Sequence, residues 1–403
     1  MNNKNNNRSI EIKPEMETFA KIKVMGIGGS GGSALNRMIK AKIRGVDFVA
    51  VNTDAQALNS NSAQQKIHIG TSTTRGLGAG MDPEIGAQAA EENEEEVRSI
   101  INGADMVFIT CGLGGGTGTG AAPIIADIAK QSGALTVAVV TKPFSFEGAQ
   151  RRNIAERGLE ALIDKVDTII TIPNDRLLQV IDKKTSLLDA FAIVDEVLKQ
   201  GVQGISEIIT TAGLVNVDFA DVKAIMRDAG SAMMGIGRSS GENRAVEAAR
   251  AAIDSPLLEL SIKGAKGVLF TVAGGSDLTM YEVNEAAEVI TSSIDSNAKV
   301  IFGAVIDETL GDEVKITVIA TGFSNSIRNE DSERSIKEDK AYLPKNPTII
   351  QPEVSRPQMS AANKSIFSKK PTVQEPEKVD LPPQSKEEEE LDIPAFIRKK
   401  MGK

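Results

Sequence analysis

The chain has 403 residues, of which 41% are hydrophobic, and its formal net charge is -9. This length and apolar content predict two ordinary globular domains and exclude a wholly disordered chain. The acidic balance and the lack of a long Lys/Arg block argue against nucleic acid as a partner.

Cysteine, histidine and apolar runs exclude further classes. Cys111 is the only cysteine and His68 the only histidine, so an internal disulfide is excluded and no cysteine–histidine metal site is predicted. No apolar run approaches the ~18 residues that span a bilayer, and the Asn-rich start lacks the apolar core of a signal peptide. The sequence therefore predicts a cytoplasmic protein without direct membrane insertion.

The first half of the chain has the pattern of an α/β domain. Residues 1–18 are polar and of low complexity, and we expect them to be disordered. Over residues 19–185, short Val/Ile-rich runs alternate with amphipathic stretches, which predicts a Rossmann-like domain with a largely parallel sheet. The predicted strands are KIKVMGI, DFVAVN, DMVFIT, LTVAVV and TIITIP, and helical patterns such as AAPIIADIAK and QRRNIAERGLEALI follow them.

The second half predicts a long helix and a smaller domain. Residues 186–211 have a helical pattern without an internal proline, which is typical of a helix that joins two domains. Residues 212–322 contain the predicted strands GVLFTVAG, VIFGAVI and VKITVIAT and two amphipathic helices. This pattern indicates a second, smaller α/β module.

A first glycine-rich loop, GIGGSGGS at residues 26–33, follows the first predicted strand and opens a helix. Gly26, Gly28 and Gly31 fit the G-x-G-x-x-G pattern of dinucleotide-binding folds. Asp54 ends the second predicted strand, where such folds carry an acidic residue for a ribose hydroxyl. An NAD-dependent oxidoreductase is therefore the competing hypothesis.

A second glycine-rich loop, GLGGGTGTG at residues 112–120, also stands between a strand and a helix. One pyrophosphate does not need two such cradles, and a nucleoside triphosphate fits them better. The lysine-containing P-loop motif is absent from the sequence. Backbone N–H groups, the hydroxyls of Thr117 and Thr119, and Mg²⁺ would then recognise the phosphates. The alternative is that the glycines only allow close helix–sheet packing.

These motifs resemble those of the tubulin/FtsZ superfamily of GTPases. GGGTGTG closely resembles the signature of that superfamily, and VNTDAQAL, TRGLGAG, TKPFSFEGAQR, IPNDRLL, LLDAF and NVDFADVK extend the resemblance over residues 20–322. The bacterial cell-division members are the most similar. The resemblance implies a tubulin-like fold, with a GTP-binding domain over 19–185, a central helix over 186–211 and a second domain over 212–322.

The resemblance also implies the residues that bind GTP or GDP, with Mg²⁺ held mainly by phosphates and water. Glu147 and Arg151 would reach the ribose and phosphate region, and Asn174, Phe191 and Asp195 would surround guanine. The residues that would wrap the phosphates are Gly29, Ser30, Gly31, Gly32, Ser33, Gly116, Thr117 and Gly118. Ser30 interrupts the first glycine run, and Ser33 replaces the asparagine usual at its end, so the detailed geometry at the phosphates can differ from the family pattern.

The residues alone leave alternatives open for three of these positions. Glu147 and Arg151 are i and i+4 at a predicted helix start and fit a surface salt bridge. Phe191 also fits a core aromatic, and Asp195 a solvated helix face. The motifs around them favour the binding roles.

NVDFADVK supplies Asn216, Asp218 and Asp221. They resemble the family loop that enters the nucleotide pocket of the next subunit and completes its catalytic site. The resemblance thus implies a head-to-tail homopolymer whose GTPase activity is activated by self-assembly. From the residues alone, Asp218 reads as the N-cap of a helix, and a tubulin-like assembly protein without hydrolysis remains an alternative.

The C-terminal tail ends in a candidate recognition peptide. Residues 323–386 are rich in proline and poor in glycine, so we expect a disordered linker there. Within residues 387–403, LDIPAFIRKK places Ile393, Phe396 and Ile397 on one helical face. This peptide resembles the family motif that binds membrane-tethered division adaptors, which implies assembly at the mid-cell division site beneath the inner membrane.

Overall fold

The computed structural model describes residues 20–178, 185–210, 215, 217–255, 258 and 262–323. The predicted N-terminal extension at 1–18 and the predicted linker and peptide after residue 323 lie outside these residues, as does Asn216. The described residues belong to one compact unit.

Ten strands of the described chain form one sheet in the order β3-β2-β1-β4-β5-β6-β7-β10-β8-β9. Neighbouring strands are parallel except where β10 pairs antiparallel with β7 and β8. The strands are β1 Ile22–Ile27, β2 Val46–Asn52, β3 Gln65–His68, β4 Met106–Gly112, β5 Leu135–Lys142, β6 Thr168–Pro173, β7 Gly230–Ser240, β8 Gly267–Gly274, β9 Lys299–Ile306 and β10 Glu313–Thr321. The predicted α/β class with a mostly parallel sheet is confirmed.

Helices connect the strands. They are α1 Gly28–Lys40, α2 Ala55–Asn59, α3 Thr71–Thr74, α4 Pro83–Glu92, α5 Glu94–Ile101, α6 Gly116–Gln131, α7 Ala149–Ile163, α8 Asn174–Leu177, α9 Leu187–Thr210, α10 Phe219–Met226, α11 Arg244–Ile253 and α12 Met280–Thr291. Short 3₁₀ turns occupy Ser145–Glu147 and Glu308–Leu310. The long helix α9 lies where the sequence predicts one over residues 186–211.

Both faces of the sheet are covered around the strands that end at the site. Alternate side chains of a strand enter different cores: Val24 and Phe108 pack with α1 and α9, whereas Met25 and Ile109 pack with α4 to α7. Burial on both faces explains the nearly continuous apolar runs of these strands, which made them visible in the sequence.

Two strands escape sequence-based prediction. β3 has only four residues, and β7 combines glycine, serine and methionine with few β-branched residues. Its glycines have a packing role, because a Cβ at Gly237 would lie 1.9 Å from the carbonyl oxygen of Ala248 on α11. Tertiary contact with α11 and β10, not intrinsic propensity, places β7 in the sheet.

Candidate nucleotide-binding site

A cavity of about 350 Å³ lies at the carboxyl ends of the parallel strands β1, β4, β5 and β6. Open α/β sheets bind ligands at this edge. Residues that follow those strands line the cavity, together with the first turns of α9. The predicted site residues among them are Gly29, Ser30, Ser33, Gly116, Thr117, Gly118, Glu147, Arg151, Asn174, Phe191 and Asp195.

Two helices direct their N-termini at the cavity. α1 begins at Gly28 directly after β1, and α6 begins at Gly116 shortly after β4. Neither has a side-chain cap, so the first N–H groups of both helices are available to a ligand, and their dipoles favour an anion. The sequence predicts loops at both segments; the structure instead has mostly helical turns, because residues without a Cβ let each helix start directly against the sheet.

The glycines of these turns have two different roles. A Cβ at Gly29 or Gly115 would meet no atom within 4 Å, so these backbones face open space. A Cβ at Gly31 would lie 2.4 Å from the carbonyl oxygen of Thr110, so Gly31 is needed for close helix–sheet packing. Gly31 and Gly32 are not in the cavity lining, since Gly31 packs on β4 and Gly32 lines an adjoining cavity, and their contact with phosphate stays a prediction.

The two threonines of the second glycine-rich segment differ in the same way. Thr117 lines the cavity, and its Oγ1 lies 2.7 Å from Oγ1 of Thr53. Thr119 is buried, and its hydroxyl accepts a hydrogen bond of 2.9 Å from the backbone N–H of Gly114. The expectation that Thr119 contacts phosphate is therefore wrong, because its hydroxyl closes the turn that precedes α6.

Glu147 and Arg151 form an ion pair on the cavity wall. Oε1 of Glu147 also accepts a 2.9 Å hydrogen bond from the backbone N–H of Phe144. The salt bridge that the spacing predicts is thus present, and it stands inside the lining. Arg151 keeps N–H groups for an anion, because its recorded bond uses Nη1 alone.

The side-chain oxygen of Asn174 and the ring of Phe191 are available to a ligand. Asn174 opens α8, is 5% exposed, and its Oδ1 has no hydrogen-bond partner among the described residues. An unsatisfied buried acceptor is rare and points to a ligand that donates. Phe191 is 41% exposed and touches Phe144 only edge-on, at 5.8 Å between ring centroids. One face of its ring is therefore available for stacking, and it is not a core aromatic.

Asp195 is not a solvated residue. Its Oδ2 accepts a 3.2 Å hydrogen bond from Nε of Arg37, and the two side chains form an ion pair. Burial raises the pKa of Asp195, and the bond to Arg37 opposes that shift. The sequence-based prediction misses Arg37, although it lies one helical turn after Ser33 on α1, and that spacing indicates the same helix face.

Asp54 does not take the role that a dinucleotide fold would give it. Its Oδ1 accepts from the backbone N–H groups of Gln56 and Ala57, so the carboxylate caps α2. Asp54 also does not line the cavity. Asp54, on which the hypothesis of an NAD-dependent oxidoreductase rested, therefore has a structural role as a helix cap.

The predicted catalytic aspartates lie away from this cavity. α9 starts beside the cavity. At its other end, Oγ1 of Thr210 donates a hydrogen bond to the carbonyl oxygen of Arg44, just before β2 begins, so this end lies at the amino ends of the strands. α10 ends at Met226, whose carbonyl oxygen accepts from the hydroxyl of Thr168 at the amino end of β6. Asp218 and Asp221, at the start of α10, are exposed and do not line the cavity, and Asn216 is outside the described residues.

Among the described residues, no group of three or more His, Cys, Asp and Glu side chains is placed to hold a metal ion. None of the helices in the same part of the chain is long and apolar enough to cross a membrane.

Known proteins share both the sequence pattern and the fold. The family model described as "Tubulin/FtsZ family, GTPase domain" matches residues 21–182. The family model described as "FtsZ family, C-terminal domain" matches residues 230–324. An empty FtsZ dimer from M. jannaschii is 50% identical, with a TM-score of 0.74 over 76% of this chain and 89% of that one. CetZ2 from Haloferax volcanii, a GTPγS-bound protofilament, is 24% identical, with a TM-score of 0.66 over 80% of this chain and 100% of that one, a likeness of fold alone.

Proposed function

The chain belongs to the tubulin/FtsZ family of GTPases, and from this premise we propose that it hydrolyses GTP at the junction between two copies associated head-to-tail. One observation carries the proposal: donors for an anion and exposed carboxylates lie on different parts of the molecule. The cavity holds the free N–H groups of α1 and α6, whereas Asp218 and Asp221 are exposed elsewhere. A second copy is needed to bring them together.

The cavity's own carboxylates are already engaged. Glu147 and Asp195 are the acidic residues in its described lining, and each is paired with an arginine. Hydrolysis of a phosphoanhydride requires a positioned water and stabilisation of charge on the phosphate oxygens. We assign the second task to the helix N-termini and Arg151, and the first to Asp218 and Asp221 of the neighbouring copy, with Asn216 beside them.

The polar and aromatic groups of the cavity suit guanosine phosphates. Guanine offers N–H donors to Asn174 and Asp195 and a flat ring to Phe191. The described lining offers no cluster of carboxylates, so we expect Mg²⁺ to be held mainly by phosphates and water.

An apolar rim at the same edge supports association with a second copy. Leu77 and Leu188 are 86% and 82% exposed, and Phe146 is also largely exposed. Leu188 lies one turn before Phe191, and Phe146 precedes Glu147. Exposed apolar side chains concentrated beside a site favour a protein partner over solvent. Since such a contact does not close on itself, repetition gives a filament.

We extend the proposal to cell division. The filaments would form a ring at the division site, in the cytoplasm beneath the membrane. Ile393, Phe396 and Ile397 would dock the tail in a groove of a membrane-tethered adaptor. These residues lie outside the described part of the chain, so this step depends on the sequence pattern alone.

One experiment tests the activity and its link to assembly. Phosphate release and light scattering are measured together with GTP, ATP or NAD over a range of protein concentrations. We expect release of phosphate from GTP only, with a rate per molecule that rises from near zero above a threshold concentration. Scattering without phosphate release indicates an assembly protein that does not hydrolyse, and a rate per molecule independent of concentration contradicts a shared site.

A further inference from the structure

Thr53 is a wholly buried residue that reaches the nucleotide cavity through another side chain. It is 0% exposed and stands between the end of β2 and Asp54, the cap of α2. Its Oγ1 lies 2.7 Å from Oγ1 of Thr117, which lines the cavity at the second residue of α6. Thr53 itself does not line the cavity.

The backbone of Thr53 is fixed by neighbours on two sides. Its carbonyl oxygen accepts hydrogen bonds of 3.3 Å from Nε2 of His68 and 3.3 Å from Oγ1 of Thr74. The next residue, Asp54, is held by its side-chain bonds to α2 and by a bridge to Leu77. The hydroxyl of Thr53 is therefore presented to Thr117 by a rigid segment.

The direction of the bond between the two threonines follows from burial. A buried hydroxyl hydrogen requires an acceptor, and Oγ1 of Thr117 is the acceptor that Thr53 has among the described residues. Thr53 therefore donates. The hydrogen of Thr117 is then free of this bond, and the partly exposed Thr117 can direct it into the cavity.

We propose that Thr53 is a positioning residue that turns the hydroxyl of Thr117 toward the phosphates of the bound nucleotide. This inference rests on the proposed GTP binding and deepens it. Thr117 contacts the ligand. Thr53 acts through Thr117 by donating a hydrogen bond to its Oγ1, which leaves the hydroxyl hydrogen of Thr117 for the ligand.

The test measures equilibrium dissociation constants for GTP, GDP and guanosine below the assembly threshold. Thr53→Val keeps the shape of the side chain and removes the donor. We expect it to weaken GTP and GDP binding about threefold to tenfold, the size of one ordinary hydrogen bond, and to leave guanosine binding unchanged. Thr117→Val should weaken GTP binding about tenfold or more, because hydrogen bonds to charged groups are stronger.

Two further variants separate positioning from structural damage. Thr53→Ser retains the donor and should restore most of the affinity. The double variant Thr53→Val/Thr117→Val should bind GTP within about twofold of Thr117→Val, because residues that act through one another are not additive. If Thr53→Val does not fold, Thr53→Ala provides a second variant without the donor.

The matched control is Thr136→Val. Thr136 is equally buried in the same sheet, and its hydroxyl donates to the carbonyl oxygen of Ala134 near the start of β5, away from the cavity. The inference is overturned if Thr53→Val binds GTP as Thr136→Val does, if guanosine affinity falls equally, or if the two threonine effects add. If the unmodified protein binds guanosine and GTP equally weakly, the proposed function fails first.

Discussion

At the residue scale, Asp195 is a largely buried carboxylate in the wall of the cavity. Its pKa is raised by desolvation, and the hydrogen bond from Arg37 partly restores the charged form. In the proposed role, this carboxylate would accept from the ring N–H and the amino group of guanine together. The same group is costly in the free protein, because burial disfavours its charge, so binding of guanine relieves an existing penalty.

We predict that Asp195→Asn shifts the base preference from guanine toward xanthine. The amide should weaken GTP binding at least tenfold and improve binding of XTP relative to GTP, since its N–H donates to the second carbonyl of xanthine. A competition assay with both nucleotides measures this. Asp189→Asn, an exposed aspartate on the same helix, serves as control. Unchanged preference would remove Asp195 from base recognition.

The raised pKa of Asp195 also gives the sign of a pH effect. As pH falls through that raised value, the carboxylate is protonated and stops accepting from guanine, so GTP affinity should begin to fall at a higher pH than an aspartate with an ordinary pKa would give. The Asp195→Asn variant should lack this component, and isothermal titration of both proteins across pH measures it.

A second residue, Glu282, stabilises the smaller module without touching the site. Arg244 is 7% exposed and donates to Glu282 at 2.6 Å, to Asp277 and to the carbonyl oxygen of Asp312. The hydrogen bond from Arg244 lowers the pKa of Glu282 to about 2. Because the folded value is depressed, its stabilising effect is present above the unfolded value of about 4.3 and is lost as pH falls toward 2.

We therefore expect Glu282→Gln to lower the free energy of unfolding by about 1–3 kcal/mol at pH 7. The difference from the unmodified protein should shrink as pH falls below 4, because protonation removes the same charge. Urea unfolding at several pH values gives the comparison, with Glu288→Gln, exposed on the same helix, as control. A difference independent of pH would mean that shape, not charge, is responsible.

At the scale of elements, the start of α10 has an observed capping role and a proposed catalytic role. Asp218 is the N-cap, since its Oδ1 accepts from the backbone N–H of Ala220 at 3.2 Å. The carboxylates of Asp218 and Asp221 are also exposed at the surface. Capping needs an acceptor oxygen, whereas assistance to an attacking water needs a charged one.

Asn and Ala substitutions distinguish these roles. Asp218→Asn should retain the cap, the thermal stability and GTP binding. Its assembly-dependent GTP turnover should fall at least a hundredfold. Asp218→Ala should lose the turnover and, in addition, about 1 kcal/mol of stability. Melting temperature and phosphate release are measured together. Full turnover in Asp218→Asn would leave only the capping role.

At the scale of the whole molecule, α9 connects the cavity with the part of the chain that leads to Asp218 and Asp221. Its 24 residues extend about 36 Å, from the cavity to the opposite edge of the sheet. A subunit that presents a nucleotide cavity at one end and aspartates at the other is suited to head-to-tail repetition.

Mixing two inactive variants tests this geometry. Asn174→Ala should lose GTP binding, and Asp218→Asn should lose hydrolysis. In a mixed filament, the intact cavity of one variant meets the intact aspartates of the other, so turnover should reappear. If equal amounts of the two variants are incorporated in random order, about a quarter of the junctions are intact, and turnover should reach up to about a quarter of that of the unmodified protein. Each variant alone at the same total concentration is the control. An equally inactive mixture would indicate that each copy works by itself.

The fold class and the region of the site follow from local patterns in the amino-acid sequence. Strands buried on both faces, such as β4 and β5, are visible as apolar runs, and glycines followed by helical patterns mark the N-termini at the cavity. These are local signals, because periodicity and backbone freedom depend on neighbouring residues in the chain. The motif resemblance then supplied Asn174, Phe191 and Asp195 as members of one site.

Long-range packing distinguishes the glycines that face open space from those that pack against the sheet, and it brings distant side chains together in pairs. Gly29 and Gly31 are alike in sequence, yet only a Cβ at Gly31 would collide with β4. Arg37 and Asp195 are 158 residues apart, and Thr53 and Thr117 are 64 apart. Such contacts depend on how α1, α6 and α9 pack around one end of the sheet, and no local pattern in the chain contains that information.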